Sequence, residues 1–172
     1  MIFIFPTELE AAKFRIARPD ANIHICGVGM AESGAYVAKL VSDGDRAEHY
    51  VLAGIAGAYN IESNPVDQVV EVVEEHIAEI PEVYAKSYPV KPYFGLTPAR
   101  SNTTNGINLP SGGADIENME GAAVAAVCAI FGVRFSEIRG VSNDVNQPME
   151  DWSDISAINA LTEVLIIIYD QQ

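Results

Sequence analysis

The sequence predicts an α/β fold in a single domain, on three observations. Apolar runs of strand length alternate with segments patterned for helix, which is the signature of that class. Hydrophobic residues fill 49% of the 172 positions, enough for one real core and too many for a disordered chain. A polar cluster, Ser142-Asn143-Asp144, follows an apolar run, and open α/β sheets hold ligands at the carboxyl ends of their strands.

The elements follow in order. Ile2 to Phe5 reads as a buried strand that Pro6 ends. Thr7 and Glu10 fit a capping box at the start of a helix, hydroxyl and carboxylate each satisfying a free backbone N–H. Ile23 to Cys26 is a second strand, and Gly27-Val28-Gly29 turns it into a helix over Ala31 to Val41. A dinucleotide fingerprint would place a third glycine at position 32, which is Glu32, so the turn reads as structural. Tyr50 to Leu52 extends into Ala53-Gly54-Ile55-Ala56-Gly57-Ala58, whose glycines let backbone approach a ligand closely. Asp67 to Glu75 is a valine-rich strand. Ile80 to Pro98 holds prolines between Tyr84, Tyr88 and Tyr93 and reads as a loop. Leu96 to Thr104 reads as a strand leading to a turn at Asn105-Gly106. Asn118 is the expected N-cap of a small-residue helix, Gly121 to Phe131, buried on most sides and stopped by Gly132. Ser136 to Val141 is the strand that ends at the polar cluster, here expected to be a loop. The last helix runs from about Ser153 to Tyr169, with Trp152 as a packing anchor before it.

Composition narrows the function. A formal net charge of −14 argues against nucleic acid and against anionic membrane surfaces, which need clustered Lys and Arg. The opening residues lack the pattern of a signal peptide, and no apolar run is long enough to span a bilayer. Cys26 and Cys128 lie in apolar segments and read as buried thiols of a reducing cytoplasm. His24, His49 and His76 are scattered, with no second ligand at metal spacing. No Gly-x-Ser-x-Gly elbow, phosphate loop or internal repeat occurs.

Two motifs carry more information. Met119-Glu120 opens the small-residue helix, and Arg139-Gly140-Val141-Ser142-Asn143 ends the strand after it. This pairing resembles the nucleoside phosphorylase and nucleosidase superfamily, and within it the futalosine hydrolases most closely. The resemblance implies one three-layer sandwich over residues 1–172, its mixed, mostly parallel sheet flanked by helices. It also implies a homo-oligomer that takes a small purine nucleoside and needs no cofactor or metal. Glu10, just past the first strand, matches the glutamate that deprotonates the attacking water, in competition with its capping role. Glu120 matches the carboxylate that grips the ribose, although acids are common in a helix's first turn for dipole reasons alone. Gly54, Ile55, Ala56 and Gly57 match the segment lining ribose and base, and Thr103 and Thr104 fall where the family contacts the base. Asn118, Met119 and Asp144 complete the implied substrate contacts, Asp144 from the opposite side if strand geometry persists.

Glycosidic cleavage passes through a sugar carrying positive charge, so one carboxylate for the water and one for the ribose suit it. Asn143 stands where adenine-releasing members use an aspartate. An amide delivers no proton but can donate to one atom and accept from another, which suits a 6-oxopurine. The expected reaction is hydrolysis of futalosine to hypoxanthine and dehypoxanthinyl futalosine, as in menaquinone biosynthesis. Arg100 and Lys91 are candidates to meet the substrate carboxylate. Three alternatives stand beside it. One is a methylthioadenosine/adenosylhomocysteine-type nucleosidase. Another is a phosphorylase, disfavoured by Ile55 where phosphorylases use serine. The third is a non-catalytic nucleoside-binding protein.

Overall fold

The computed structural model describes residues 1–44, 48–106 and 109–172. Its helices and strands run β1 Ile2–Phe5, α1 Glu8–Ala17, β2 Ile23–Ile25, α2 Met30–Ser42, β3 His49–Ala58, β4 Val69–Ile77, β5 Ser87–Pro89, β6 Thr97–Thr103, β7 Ile116–Asn118, α3 Gly121–Phe131, β8 Arg134–Asp144 and α4 Asp154–Asp170. They form one sheet in the order β2-β1-β3-β7-β6-β4-β5, with β8 bridging β3 and β4. Strand β1 pairs parallel with β2 and β3, β3 with β8, β4 with β6, and β6 with β7. The contacts β3–β7, β4–β5 and β4–β8 are antiparallel. Strands β3, β7, β6, β4 and β8 therefore close a ring.

Alternation along the strands builds the layers, because successive side chains leave opposite faces. Ile2, Ile4, Tyr50 and Leu52 pack with Val37 and Leu40 of α2 and Val124 and Cys128 of α3. Phe3, Phe5, Val51 and Ala53 pack on the other face with Phe14 of α1 and Leu161 and Leu165 of α4. A third cluster, including Ala58, Val70, Val72, Ile116 and Val141, fills the ring. The result is the three-layer α/β/α sandwich with a mixed, mostly parallel sheet. Both cysteines are free and buried, and burial pushes both thiols up to about 12. No helix among the described residues is long and apolar enough to cross a membrane.

Four expectations change. Ser142-Asn143-Asp144 is not a loop: β8 runs to Asp144 because β3 pairs with it along its whole length. A register shift between Ala56 and Gly57 lets Ser142 bulge out. Asn118 closes β7 instead of capping α3 in sequence position. Its side chain nevertheless accepts from the N–H groups of Glu120 and Gly121, at 2.8 and 2.7 Å. The segment from Ile80 to Pro98 carries a single 3-10 turn at Glu82–Tyr84 and the short strand β5, held antiparallel on β4. Helix α3 is buried at Gly121, Ala122, Val124, Ala125 and Cys128, but its last residues, Ile130 and Phe131, are exposed.

Candidate active site

The parallel strands β1 and β3 end on the same side, and β8 ends beside β3. A cleft of about 670 Å³ opens there. Glu10, Glu120 and Asn143 all line it, although they come from the start, middle and end of the chain.

Glu10 is 6% exposed. Thr7 does cap α1, its hydroxyl oxygen accepting from the Glu10 N–H at 3.3 Å. The carboxylate, however, does not return to the Thr7 backbone to close a capping box. One oxygen accepts from the Ile55 N–H at 3.0 Å, and the other from the Thr7 hydroxyl at 2.6 Å. The cap is half-made, and the acid is turned toward the cleft. Burial raises its pKa, with Thr7, Ile55 and Arg139 pulling it back.

Glu120 is 3% exposed, and neither of its oxygens is idle. Oε1 accepts from the Gly29 N–H at 3.0 Å, and Oε2 lies 3.3 Å from both terminal nitrogens of Arg139. Gly29 has φ of 90°, a conformation that favours glycine. The Gly27-Val28-Gly29 turn thus aims a backbone donor at Glu120. Sequence reading favoured a structural part for it.

Arg139 organises the floor behind the cleft. It donates to Glu137 at 2.8 Å, Asn118 at 2.9 Å and the Ile55 carbonyl at 3.3 Å, besides Glu120. Asn118 spends its amide on Glu75 and Ser101, at 2.7 and 2.8 Å. Glu75 and Glu137 are both fully buried, and burial lifts both pKa values, Glu75's well above the ordinary range. The Arg139 guanidinium thus faces two acids, Glu137 at 2.8 Å and Glu120 at 3.3 Å.

Ile55, Ala56, Gly57, Thr104, Asn118 and Met119 also line the cleft. Three expected contacts do not. A Cβ at Gly54 would fall 2.6 Å from Arg139 Nη1 and 2.9 Å from Glu10 Oε1, so this glycine makes room for the machinery instead of touching the cleft. Thr103 is buried, its oxygen donating to Glu75 and accepting from the Ala122 N–H at the start of α3, both at 2.7 Å. Asp144 points away, as alternation requires, and accepts from the backbone and side chain of Asn146. Asn143 itself accepts from the Ser142 hydroxyl at 2.7 Å and donates to the Asp144 carbonyl at 2.9 Å, leaving one amide hydrogen and one lone pair for a ligand. Arg100 is engaged by Glu74 at 3.0 Å, and neither it nor Lys91 lines the cleft. Sequence reading passed over Val28, Glu117 and Met149, which do.

Comparison with known proteins agrees with this fold. The sequence model of the phosphorylase superfamily matches residues 93–168. No functionally curated protein sequence matches the chain. Among solved structures, an MTA/SAH nucleosidase superposes with a TM-score of 0.85 at 18% identity, over 98% of this chain and 93% of that one. The native futalosine hydrolase of Helicobacter pylori superposes with a TM-score of 0.84 at 14% identity, over 99% and 97%. The 5'-methylthioadenosine/S-adenosylhomocysteine nucleosidase of the same organism, bound to butyl-thio-DADMe-Immucillin-A, gives 0.84, 14%, 99% and 97%. The chain therefore matches the phosphorylase superfamily's sequence model over residues 93–168 and shares its fold with these nucleosidase and hydrolase structures.

Proposed function

We propose that the cleft hydrolyses the N-glycosidic bond of a purine nucleoside. The observation that carries this reading is the convergence of Glu10, Glu120 and Asn143 on one hollow. Glu10, between the Thr7 hydroxyl and the Ile55 N–H, is the general base for water. Glu120 keeps a lone pair on Oε1 for a ribose hydroxyl, and its charge favours the sugar as it turns cationic. Asn143 meets the departing base with one donor and one acceptor.

An amide in that place favours a 6-oxopurine, which leaves as an anion without needing a proton from the protein. Futalosine, giving hypoxanthine and dehypoxanthinyl futalosine, is the substrate this points to. One observation favours a second substrate, methylthioadenosine. Among the described residues lining the cleft there is no Lys or Arg for a substrate carboxylate, and Leu9, Val28 and Met149 present apolar, exposed surface at its rim. That rim supports a homo-oligomer as well, since a second copy would cover it; light scattering in solution tests this. Incubation with futalosine, inosine and methylthioadenosine, with and without phosphate, tests the reaction. Hypoxanthine release independent of phosphate is expected. Adenine release alone overturns the choice of base, and a strict phosphate requirement overturns hydrolysis.

A further inference from the structure

The strand register sets four residues in one row across the sheet. Asn102 of β6 pairs with Glu117 of β7, Glu117 with Gly57 of β3, and Gly57 with Asn143 of β8. Residues directly opposite on neighbouring strands send their side chains to the same face. Glu117 and Asn143 therefore rise on either side of Gly57, and all three line the cleft. Gly57 has no side chain, and a Cβ there would come within 3.1 Å of the Asn143 amide and of Val145. What remains is a slot two strand spacings wide, about 10 Å, with a carboxylate on one wall and an amide on the other.

The polarity of the carboxylate wall is fixed by its partners. Asn102 Nδ2 donates to the Ser111 carbonyl at 2.9 Å, and a carbonyl can only accept, so the nitrogen is on that side. The same nitrogen donates to the Tyr59 oxygen at 3.0 Å. The one proton of the phenol then goes to Glu117 Oε2, 2.8 Å away. That proton takes one lone pair of Glu117 Oε2, and the group lines the slot with further acceptor capacity to spare. Burial raises the Glu117 pKa, and the Tyr59 hydrogen bond offsets part of that rise.

We propose that Glu117 is the specificity-determining residue of this site: its carboxylate accepts the ring N1–H of a 6-oxopurine lying over Gly57, opposite Asn143. Adenine has a lone pair at N1, which a carboxylate repels. The proposal rests on the reading of the cleft as a purine nucleoside site, and it assigns a residue that the hydrolytic chemistry does not use.

Calorimetric titration with the free bases, hypoxanthine and adenine, tests it without turnover. Wild-type protein is expected to bind hypoxanthine at least about tenfold more tightly than adenine. Glu117→Gln offers an NH2 to N1 in place of a lone pair. It should weaken hypoxanthine about tenfold and strengthen adenine, reversing the order. Tyr59→Phe keeps the carboxylate but removes its donor, and should shift the ratio less in the same direction. Thermal melts confirm that both variants fold. Equal loss for both bases, an unchanged ratio, or no binding of either base by the wild type overturns the assignment. Hydrolysis without the base preference defeats the role of Glu117 alone; the preference without hydrolysis defeats the hydrolase reading alone.

Discussion

At the scale of the residue, Glu10 shows how one side chain can look structural and still face a cleft. Its backbone N–H is capped by Thr7, as the sequence foretold, but its carboxylate serves Ile55. Only the fold could reveal this, because Ile55 lies 45 positions away. Gly54 shows the converse. Its place in a glycine-rich segment suggested substrate contact, but what it supplies is the absence of a Cβ between Arg139 and Glu10. Sequence spacing cannot distinguish a glycine that touches a ligand from one that clears space for a neighbour. Glu10 also yields a pH prediction. As the proposed general base it must be ionised, and burial holds its pKa above the ordinary glutamate value. The acid limb of kcat/KM should therefore sit above the ordinary glutamate range, with activity lost as pH falls through it. Glu10→Gln should reduce kcat about 10²–10⁴-fold and abolish that limb, both read from a pH–rate series on the nucleoside that turns over.

At the scale of the element, the strand–helix joint from β7 to α3 is the most demanding piece. The sequence showed its helix, its stop at Gly132 and its Met-Glu opening, since those are local patterns. It could not show that β8 outlasts its apolar stretch, because the polar end at Ser142-Asn143-Asp144 is held by β3 and not by its own propensity. Nor could it show why α3 begins with glycine. A Cβ at Gly121 would lie 2.3 Å from Glu75 Oε1 and 2.6 Å from Glu137 Oε2, both on fully buried carboxyls with nowhere to retreat. Gly121→Ala is expected to cost about 1–3 kcal/mol or more in urea unfolding. Gly34→Ala is the contrast. It sits inside α2, and its Cβ would meet only the Ala123 methyl at 3.4 Å. That change should stay within about 1 kcal/mol of neutral, the helix preference for alanine offsetting the snug contact.

At the scale of the whole molecule, the layered α/β order was legible because alternation and punctuation are written residue by residue. The ring of five strands was not, since it depends on β8 reaching both β3 and β4. Buried acids link this ring to global stability. Burial raises the pKa values of Glu75 and Glu137 in the folded protein above the ordinary carboxylate range. A raised carboxyl contributes stability that is fully present below the unfolded pKa and lost as pH rises through the folded one. His49 acts the other way. Burial first, then Arg134, hold it down to about 4, so its contribution fades as pH falls below 6.5. The informative comparison is thus between parent and Glu75→Gln, which share His49. The parent's melting temperature should fall more steeply than the variant's as pH rises from about 5 to 8, because the neutral amide has no proton to lose. Parallel curves would show that the pair carries no such linkage.

The strand order has a last consequence, for solubility. The sheet runs out at β2 and β5, each of three residues, and β5 ends in proline. Unpaired backbone at a sheet border is the usual template on which another chain stitches itself, and proline offers it no amide hydrogen. Little such template remains among the described strands, so a chain this rich in valine and isoleucine keeps its stickiest backbone turned inward.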